Sequence, residues 1–180
     1  MTKTTIFTFL IIIAFNFSCN QKQNPKNNPN LGTSKIINDT SKISIIEYNE
    51  NSKWVFNKKC RKTTLTKNDL NNLEILLNQG VKEYNISAEQ RLEKLKEENP
   101  KTKFQREYFI IDLDNYKRQY VAILNQKNEK EVWINCFCGD FGENLKKNIV
   151  IVCDGGNCFF NLKINLTTKK HYDFSVNGTA

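Results

Sequence analysis

The sequence predicts an α+β domain in which a helix packs against a curved antiparallel sheet. Between residues 66 and 98 the apolar residues recur at helical spacing, and from residue 104 onward apolar and polar residues alternate. A short stretch rich in isoleucine precedes the helical part of the chain. Helices collected on one face of an antiparallel sheet form a two-layer α+β domain.

The domain is expected to begin with two short strands. Residues 43–48 are rich in isoleucine, which favours a strand, and residues 54–56 form a second candidate strand. Between this candidate and the helix lies a basic stretch, residues 58–62, which contains Cys60 and is predicted to form a loop.

The helical region begins with a clear start signal. Thr66 and Asp69 have the spacing of a capping box, with Asp in place of the usual Glu. Residues 87 and 90 repeat this spacing, so a second, charged helix is expected over residues 88–98, where Asn99-Pro100 ends it. One apolar stripe is predicted, formed by Leu70, Leu73, Leu77 and Tyr84.

The C-terminal half is predicted to be an antiparallel meander. Strand candidates span residues 106–113, 117–125, 131–138, 148–153, 158–166 and 172–176. Residues 154–157 (Asp-Gly-Gly-Asn) form a strong hairpin signal between two of these candidates. In the last strand, Tyr172, Phe174 and Val176 are expected to line one face.

This order of strand, helix and antiparallel meander resembles cystatin-like and NTF2-like folds, in which a curved sheet wraps around a helix. The resemblance concerns the fold alone. It implies no activity, because one fold hosts many unrelated functions.

The N-terminus carries a short apolar run. Lys3 is followed by an almost unbroken hydrophobic stretch over residues 6–17, which as a helix would span only about 18 Å. Because the hydrocarbon core of a bilayer is about 30 Å thick, this length suits a signal peptide better than a membrane span.

The run ends at Phe17-Ser18-Cys19-Asn20, which resembles the lipobox of bacterial lipoprotein precursors of the Bacteroidetes type. Ser18 fits the small position, whereas Asn16 departs from the usual leucine. The resemblance implies a signal peptide over residues 1–18, cleavage before Cys19 and acyl chains on Cys19, which give stable anchoring. Asn20 implies the outer membrane. The alternative is an ordinary secretory signal cut beside Ser18 or Asn20.

Residues 19–42 are predicted to be a lipidated, flexible tether. They are rich in Asn, Gln and Lys, and such a segment buries too little apolar surface to offset its ordering entropy. A coil of this length averages roughly 25 Å from end to end. The remaining residues, 43–180, are predicted to form a single globular domain.

The chain is basic, with 27 Lys and Arg residues against 19 Asp and Glu residues and a formal net charge of +8. This excess favours contact with an anionic envelope component, such as phospholipid headgroups, lipopolysaccharide phosphates or acidic glycans, or with an acidic protein. An exported protein rarely meets nucleic acid, which is therefore not an expected partner. The alternative explanation is a lysine-rich surface that serves only solubility.

The cysteines are candidates for disulfides. Besides the lipidated cysteine five remain, in a compartment that permits disulfides. Cys153 and Cys158 flank the hairpin turn and form one candidate disulfide, and Cys60 is a candidate partner for Cys136 or Cys138, which share a strand face. Because five is odd, one thiol stays reduced or pairs between chains.

No catalytic, cofactor or metal site is predicted. The spacings Cys-x-Cys and Cys-x4-Cys differ from the two-residue gap usual for zinc. A thiol nucleophile needs a base within reach, and the single histidine, His171, is expected on the polar face of the last strand. Trp54, Trp133 and Phe159-Phe160 are predicted to be core residues, with a ligand pocket as the alternative.

These observations favour a membrane-tethered lipoprotein whose domain serves as a non-enzymatic binding or envelope-accessory domain. One alternative is a periplasmic immunity or inhibitor protein acting against a toxin or hydrolase, for which the positive charge requires an acidic partner. The other alternative is a thiol-dependent enzyme.

Overall fold

One 32-residue helix, α1 (Lys67–Glu98), crosses one face of a mixed sheet in this computed structural model, which describes residues 40–56 and 59–178. The strands of the described part are β1 (Ile43–Ile46), β2 (Arg61–Lys62), β3 (Lys117–Leu124), β4 (Lys130–Phe137), β5 (Phe159–Asn165) and β6 (Lys170–Val176). The predicted α+β class is therefore confirmed. The predicted signal peptide, Cys19 and the tether as far as residue 39 lie outside the described residues.

The sheet has the strand order β1-β3-β4-β5-β6, and β2 pairs with β3 beyond the end of β1. Strands β3 to β6 form the predicted antiparallel meander. The pairing of β1 with β3 is parallel, so the sheet is mixed and the prediction of a purely antiparallel sheet is wrong. A parallel pair requires a crossover connection, which here contains α1.

The start of α1 confirms the predicted capping box. The Thr66 hydroxyl accepts a hydrogen bond from the Asp69 N–H (3.1 Å), and the Asp69 carboxylate accepts one from the Thr66 N–H (2.9 Å). The predicted second helix start is wrong, because Ser87 lies inside α1 and its hydroxyl donates to the Glu83 carbonyl (3.5 Å). Ala88, one residue further on, is fully buried, and such packing stabilises a helix more than local signals do.

The main core lies between α1 and the sheet face that it covers, the helix face. The predicted stripe is confirmed: Leu73 and Leu77 are fully buried, and Leu70 and Tyr84 pack against the same core. At Gly80 the helix approaches the sheet closely, since a Cβ atom there would lie 3.2 Å from Leu162 Cδ1. Within the described ranges, no helix has both the length and the apolar character needed to cross a bilayer.

The opposite side of the sheet, the far face, carries a smaller core formed by Ile46, Val55, Phe56, Val121, Ile123 and Trp133. Two predicted strands are not formed on this side. Residues 54 and 55 lie in a 3₁₀ segment (Glu50–Val55), and residues 148–153 are irregular. A short apolar run has the same pattern in a buried strand and in a buried turn, which explains both errors.

The predicted strand over residues 106–113 is also wrong. It consists of two 3₁₀ turns, Arg106–Tyr108 and Leu113–Asn115, with a connection between them. Asn85 of α1 fixes this connection, because its Nδ2 donates to the Ile111 carbonyl (2.8 Å) and its Oδ1 accepts from the Ile111 N–H (2.9 Å). One side-chain amide thus satisfies the backbone groups that a strand would have paired.

Candidate functional site

A groove of about 280 Å³ opens on the far face of the sheet. Strands β4, β5 and β6 supply part of its lining, the 3₁₀ segment that contains Trp54 supplies another part, and residues 150–152 supply a third. We call it the tryptophan groove. The residues that matter most for its chemistry are Trp54, Trp133, Ile151, Asn161, Lys163 and Asp173.

Two indoles meet in the groove. Trp54 and Trp133 pack edge to face with ring centroids 5.7 Å apart. The Trp133 Nε1 donates to Asn161 Oδ1 (3.2 Å), and the Trp54 Nε1 donates to the Asn51 carbonyl (3.0 Å). Trp133 is buried, as predicted, whereas Trp54 is 49% exposed, so the prediction of a core position for Trp54 is wrong. The Trp54 side chain therefore offers an oriented apolar surface to a ligand.

Polar groups of β5 and β6 line the same groove. Asn161 uses its Oδ1 for the bond to Trp133, and its Nδ2 has no hydrogen-bond partner among the described residues. Lys163 Nζ lies 3.0 Å from Asp173 Oδ2 and 5.9 Å from the ring centroid of Phe56. The groove thus presents an amide donor and a charge pair to any ligand that enters it.

A bulge in β6 aims Asp173 and its neighbours. Asp173 has φ +52°, a conformation that costs a non-glycine residue roughly 1–3 kcal/mol. The register shift places Tyr172 opposite Lys163 on the far face and His171 opposite Ile164 on the helix face. The expectations that Tyr172 shares a face with residues 174 and 176, and that His171 lies on the polar face, are therefore wrong. A bulge inserts one extra residue into the strand, so residues before the bulge lie on the opposite face from the one that regular alternation with the residues after it would give them.

Two buried amides hold the irregular wall of the groove. Gln119 Nε2 donates to the carbonyls of Leu145 (2.8 Å) and Asn148 (2.7 Å), and its Oε1 accepts from the Val150 N–H (2.9 Å). Asn135 Nδ2 donates to the Val150 carbonyl (2.9 Å). Side chains of the sheet thus satisfy backbone groups that have no neighbouring strand.

The disulfide joins Cys138 to Cys158, with the Cα atoms 5.1 Å apart. The predicted pairing of Cys153 with Cys158 is therefore wrong, and so is a bond from Cys60 to Cys136 or Cys138. Strands β4 and β5 are antiparallel neighbours, and their register, continued by one residue, places residue 138 opposite residue 158. Cys136 faces the main core instead, where it is fully buried.

Cys136 and His171, the residues considered for thiol chemistry, are not within hydrogen-bond reach of each other. Burial raises the pKa of the Cys136 thiol, which disfavours the nucleophilic thiolate. Cys136 lies opposite Phe160 and His171 lies opposite Ile164, a separation of about 13 Å along the strand direction. In the part of the chain that the structure describes, no group of three or more His, Cys, Asp or Glu residues is arranged to hold a metal ion.

A wider groove of about 540 Å³ lies between α1 and residues 106–114. Several of its polar side chains bond to one another or to the backbone: Asn85 binds both backbone groups of Ile111, and Arg106 Nε lies 3.2 Å from Glu89 Oε1. None of its lining residues is aromatic, whereas the tryptophan groove presents the exposed indole of Trp54, so the tryptophan groove is the stronger candidate.

Sequence reasoning missed Asn161, Lys163 and Asp173 as candidate site residues. For Asn161 and Lys163 the sequence did contain a signal: the alternation along β5 places both side chains on the sheet face opposite to that of Leu162. For Asp173 there was none, since its orientation depends on the bulge.

Comparisons with protein-family models, with curated proteins and with solved structures gave no match to this chain.

Proposed function

We propose that this chain is a lipid-anchored envelope protein whose folded domain binds a ligand in the tryptophan groove without catalysing a reaction. Residues 1–18 act as its signal peptide, and acylated Cys19 holds it in a bilayer, proposed to be the outer membrane because Asn20 follows. The lipobox-like sequence supports the anchor. Several acyl chains on one cysteine hold a protein far more durably than a single chain does.

The exposed indole of Trp54 is the observation that carries the binding function. Small-molecule sites are concave and largely apolar, with a few oriented polar groups. The tryptophan groove has this composition, because the indole lies beside the amide of Asn161 and the pair of Lys163 and Asp173. Its volume of about 280 Å³ suits one ring-sized group.

We propose a saccharide of the envelope as the ligand. The C–H face of a sugar ring would pack against Trp54, whose indole is held in place by Trp133 and Asn51. Sugar hydroxyls both donate and accept hydrogen bonds. They match the Asn161 amide and the Lys163–Asp173 pair, which offer both kinds of group.

The distance between Cys136 and His171 along the sheet supports a function without thiol catalysis. Glu83 Oε2 lies 3.2 Å from His171 Nε2, so this imidazole contacts a carboxylate of α1. A nucleophilic thiol requires a base within hydrogen-bond reach.

Calorimetric titration of the full chain with neutral and acidic oligosaccharides tests this function. We expect binding that Trp54→Ala weakens by about 2 kcal/mol, roughly 30-fold in Kd. Ile75→Ala is the matched control. It removes an apolar side chain of α1 that is as exposed as Trp54, and it should leave the affinity unchanged. Equal affinities of the Trp54→Ala and wild-type proteins would contradict the proposal. Capture of an acidic toxin instead would favour the immunity function.

The resemblance of the element order to cystatin-like and NTF2-like folds stays a prediction. A solved cystatin-like or NTF2-like structure would support this resemblance if its strands equivalent to β1 and β3 also paired in parallel, with a helix equivalent to α1 in the connection between them.

A further inference from the structure

Basic residues gather at one end of the sheet, where α1 begins and where the β3–β4 and β5–β6 turns lie. Lys130 connects these parts, because its Nζ lies 2.8 Å from Asp69 Oδ2 in the first turn of α1 and its N–H donates to the Thr167 hydroxyl in the β5–β6 turn. We call this surface the basic end. Its cations are Arg61, Lys62, Lys67, Lys127, Lys130, Lys169 and Lys170.

Among the residues that the structure describes, four carboxylates lie at the same end, and each of them accepts a hydrogen bond or forms an ion pair. Glu47 Oε1 lies 2.7 Å from Lys62 Nζ, and Asp69 binds Lys130. Glu129 accepts hydrogen bonds from the amides of Asn125 and Asn165. Glu131 is only 4% exposed and accepts from Asn125 and Tyr172. Seven cations thus lie at this end against four carboxylates, one of which is buried, so the charge of its described residues is net positive.

Five of the cations are exposed and form no ion pair within the described residues: Arg61, Lys67, Lys127, Lys169 and Lys170. The Arg61 guanidinium donates to the neutral amide oxygen of Asn128, which leaves its charge uncompensated. The N-terminus of α1 adds the positive end of the helix dipole at the same place. At the other end of β3, by contrast, Lys117 Nζ lies 2.7 Å from Asp140 Oδ1.

We propose that the basic end docks on an anionic phospholipid surface, where its lysines and arginine contact headgroup phosphates. The inference rests on the proposed anchor, because acylated Cys19 would keep the domain beside a bilayer. Each cation close to an anionic leaflet strengthens the partitioning of a protein to that leaflet roughly fivefold, and the effect fades within a Debye length of about 10 Å. Docking by this end leaves the tryptophan groove, on the far face, open to solvent.

Amine footprinting of the acylated full chain in lipid nanodiscs tests the docking. Discs of phosphatidylcholine are compared with discs that also contain phosphatidylglycerol. We expect the labelling rates of Lys67, Lys127, Lys169 and Lys170 to fall at least about threefold in the anionic discs only, and added salt to restore them. Lys101 and Lys103, exposed beyond the end of α1, should label equally in both discs.

A charge variant with a matched control separates the basic end from net charge alone. In K127A/K169A/K170A we expect Lys67 to lose its protection from labelling, because the loss of three cations weakens the electrostatic partitioning of the protein to the anionic surface about 100-fold. K101A/K103A/K147A loses the same charge from other surfaces and should keep Lys67 protected.

Retention of the protein in the discs reports on the anchor separately. A retained protein with equal labelling in both discs, or a control variant that loses the protection as well, overturns the docking alone. A protein that neither disc retains overturns the docking together with the anchor.

Discussion

Gln119 and Asn135 lie opposite each other on β3 and β4, and Asn135 Nδ2 donates a 3.3 Å hydrogen bond to Gln119 Oε1. Both side chains are buried on the far face of the sheet. Together they bind the backbone of residues 145, 148 and 150. Two amides thus hold in place a segment that belongs to no strand and that leads into a wall of the tryptophan groove.

Replacing Gln119 by Leu should release this segment. The change keeps the approximate volume but leaves the Val150 N–H and the carbonyls of Leu145 and Asn148 without their partner, at about 1–3 kcal/mol for each group that stays buried. We expect faster amide hydrogen exchange over residues 145–150 and a loss of about 3 kcal/mol in the free energy of unfolding. Gln90→Leu, at an exposed site of α1, is the control. Unchanged exchange over residues 145–150 would show that the amide does not hold the segment.

The disulfide between Cys138 and Cys158 should stabilise the domain by about 3 kcal/mol, because it closes a loop with a sequence separation of 20 residues. We expect C138A/C158A to lose this amount in urea unfolding, whereas Cys153→Ala leaves the free energy of unfolding unchanged. Non-reducing peptide mapping gives the direct check. A linked peptide that contains residues 153 and 158 would be inconsistent with the pairing described here.

The stability of the α1 N-terminus should depend on acid pH through Asp69. Burial raises the pKa of this carboxyl, but hydrogen bonds from Lys130 and Thr66 outweigh it and hold the pKa below its ordinary 3.8. A lowered folded-state pKa gives stability that is present above about pH 4 and is lost as the pH falls through the folded value.

Urea unfolding at several pH values measures this effect. We expect Asp69→Asn to cost about 1 kcal/mol at neutral pH, the usual value of a cap, and the difference from wild type to vanish in acid. Glu97→Gln, at an exposed site near the end of α1, is the control. A difference that stays constant down to acid pH would exclude Asp69 as the titrating group.

The close approach at Gly80 should make this position intolerant of side chains. A Cβ atom would lie 3.2 Å from Leu162 Cδ1 and 3.4 Å from the His171 ring, and Leu162 is fully buried. Gly80→Val should therefore lower the free energy of unfolding by about 2 kcal/mol despite a gain in helix propensity. Gln79→Val, at the exposed neighbouring position, should cost about 0.5 kcal/mol. Equal effects of the two substitutions would argue against tight packing.

The features that could be predicted from the sequence are those that depend on neighbouring residues. Thr66 and Asp69 cap each other across one helical turn, and the stripe through Leu73 and Leu77 follows from the helical period. The strand periodicity likewise located β3 to β6 within a few residues. The local signal at Ser87 failed because tertiary burial of the following turn keeps α1 continuous.

The features that could not be predicted depend on contacts distant in sequence. The partner of Cys158 is set by the register of β4 with β5, which no spacing between cysteines encodes. The single extra residue at Asp173 exchanges the faces of Tyr172 and His171, and it thereby shapes the groove. The half-exposed position of Trp54 depends on a 3₁₀ segment whose apolar pattern also fits a strand.

Mass spectrometry of the mature N-terminus tests the central claim most directly, because the proposed envelope ligand and the proposed docking of the basic end both require a protein held at a bilayer. We predict an N-terminal peptide that begins at Cys19 and carries the mass of a diacylglycerol thioether with an acylated amine. An unmodified peptide that begins at any other residue would contradict the account.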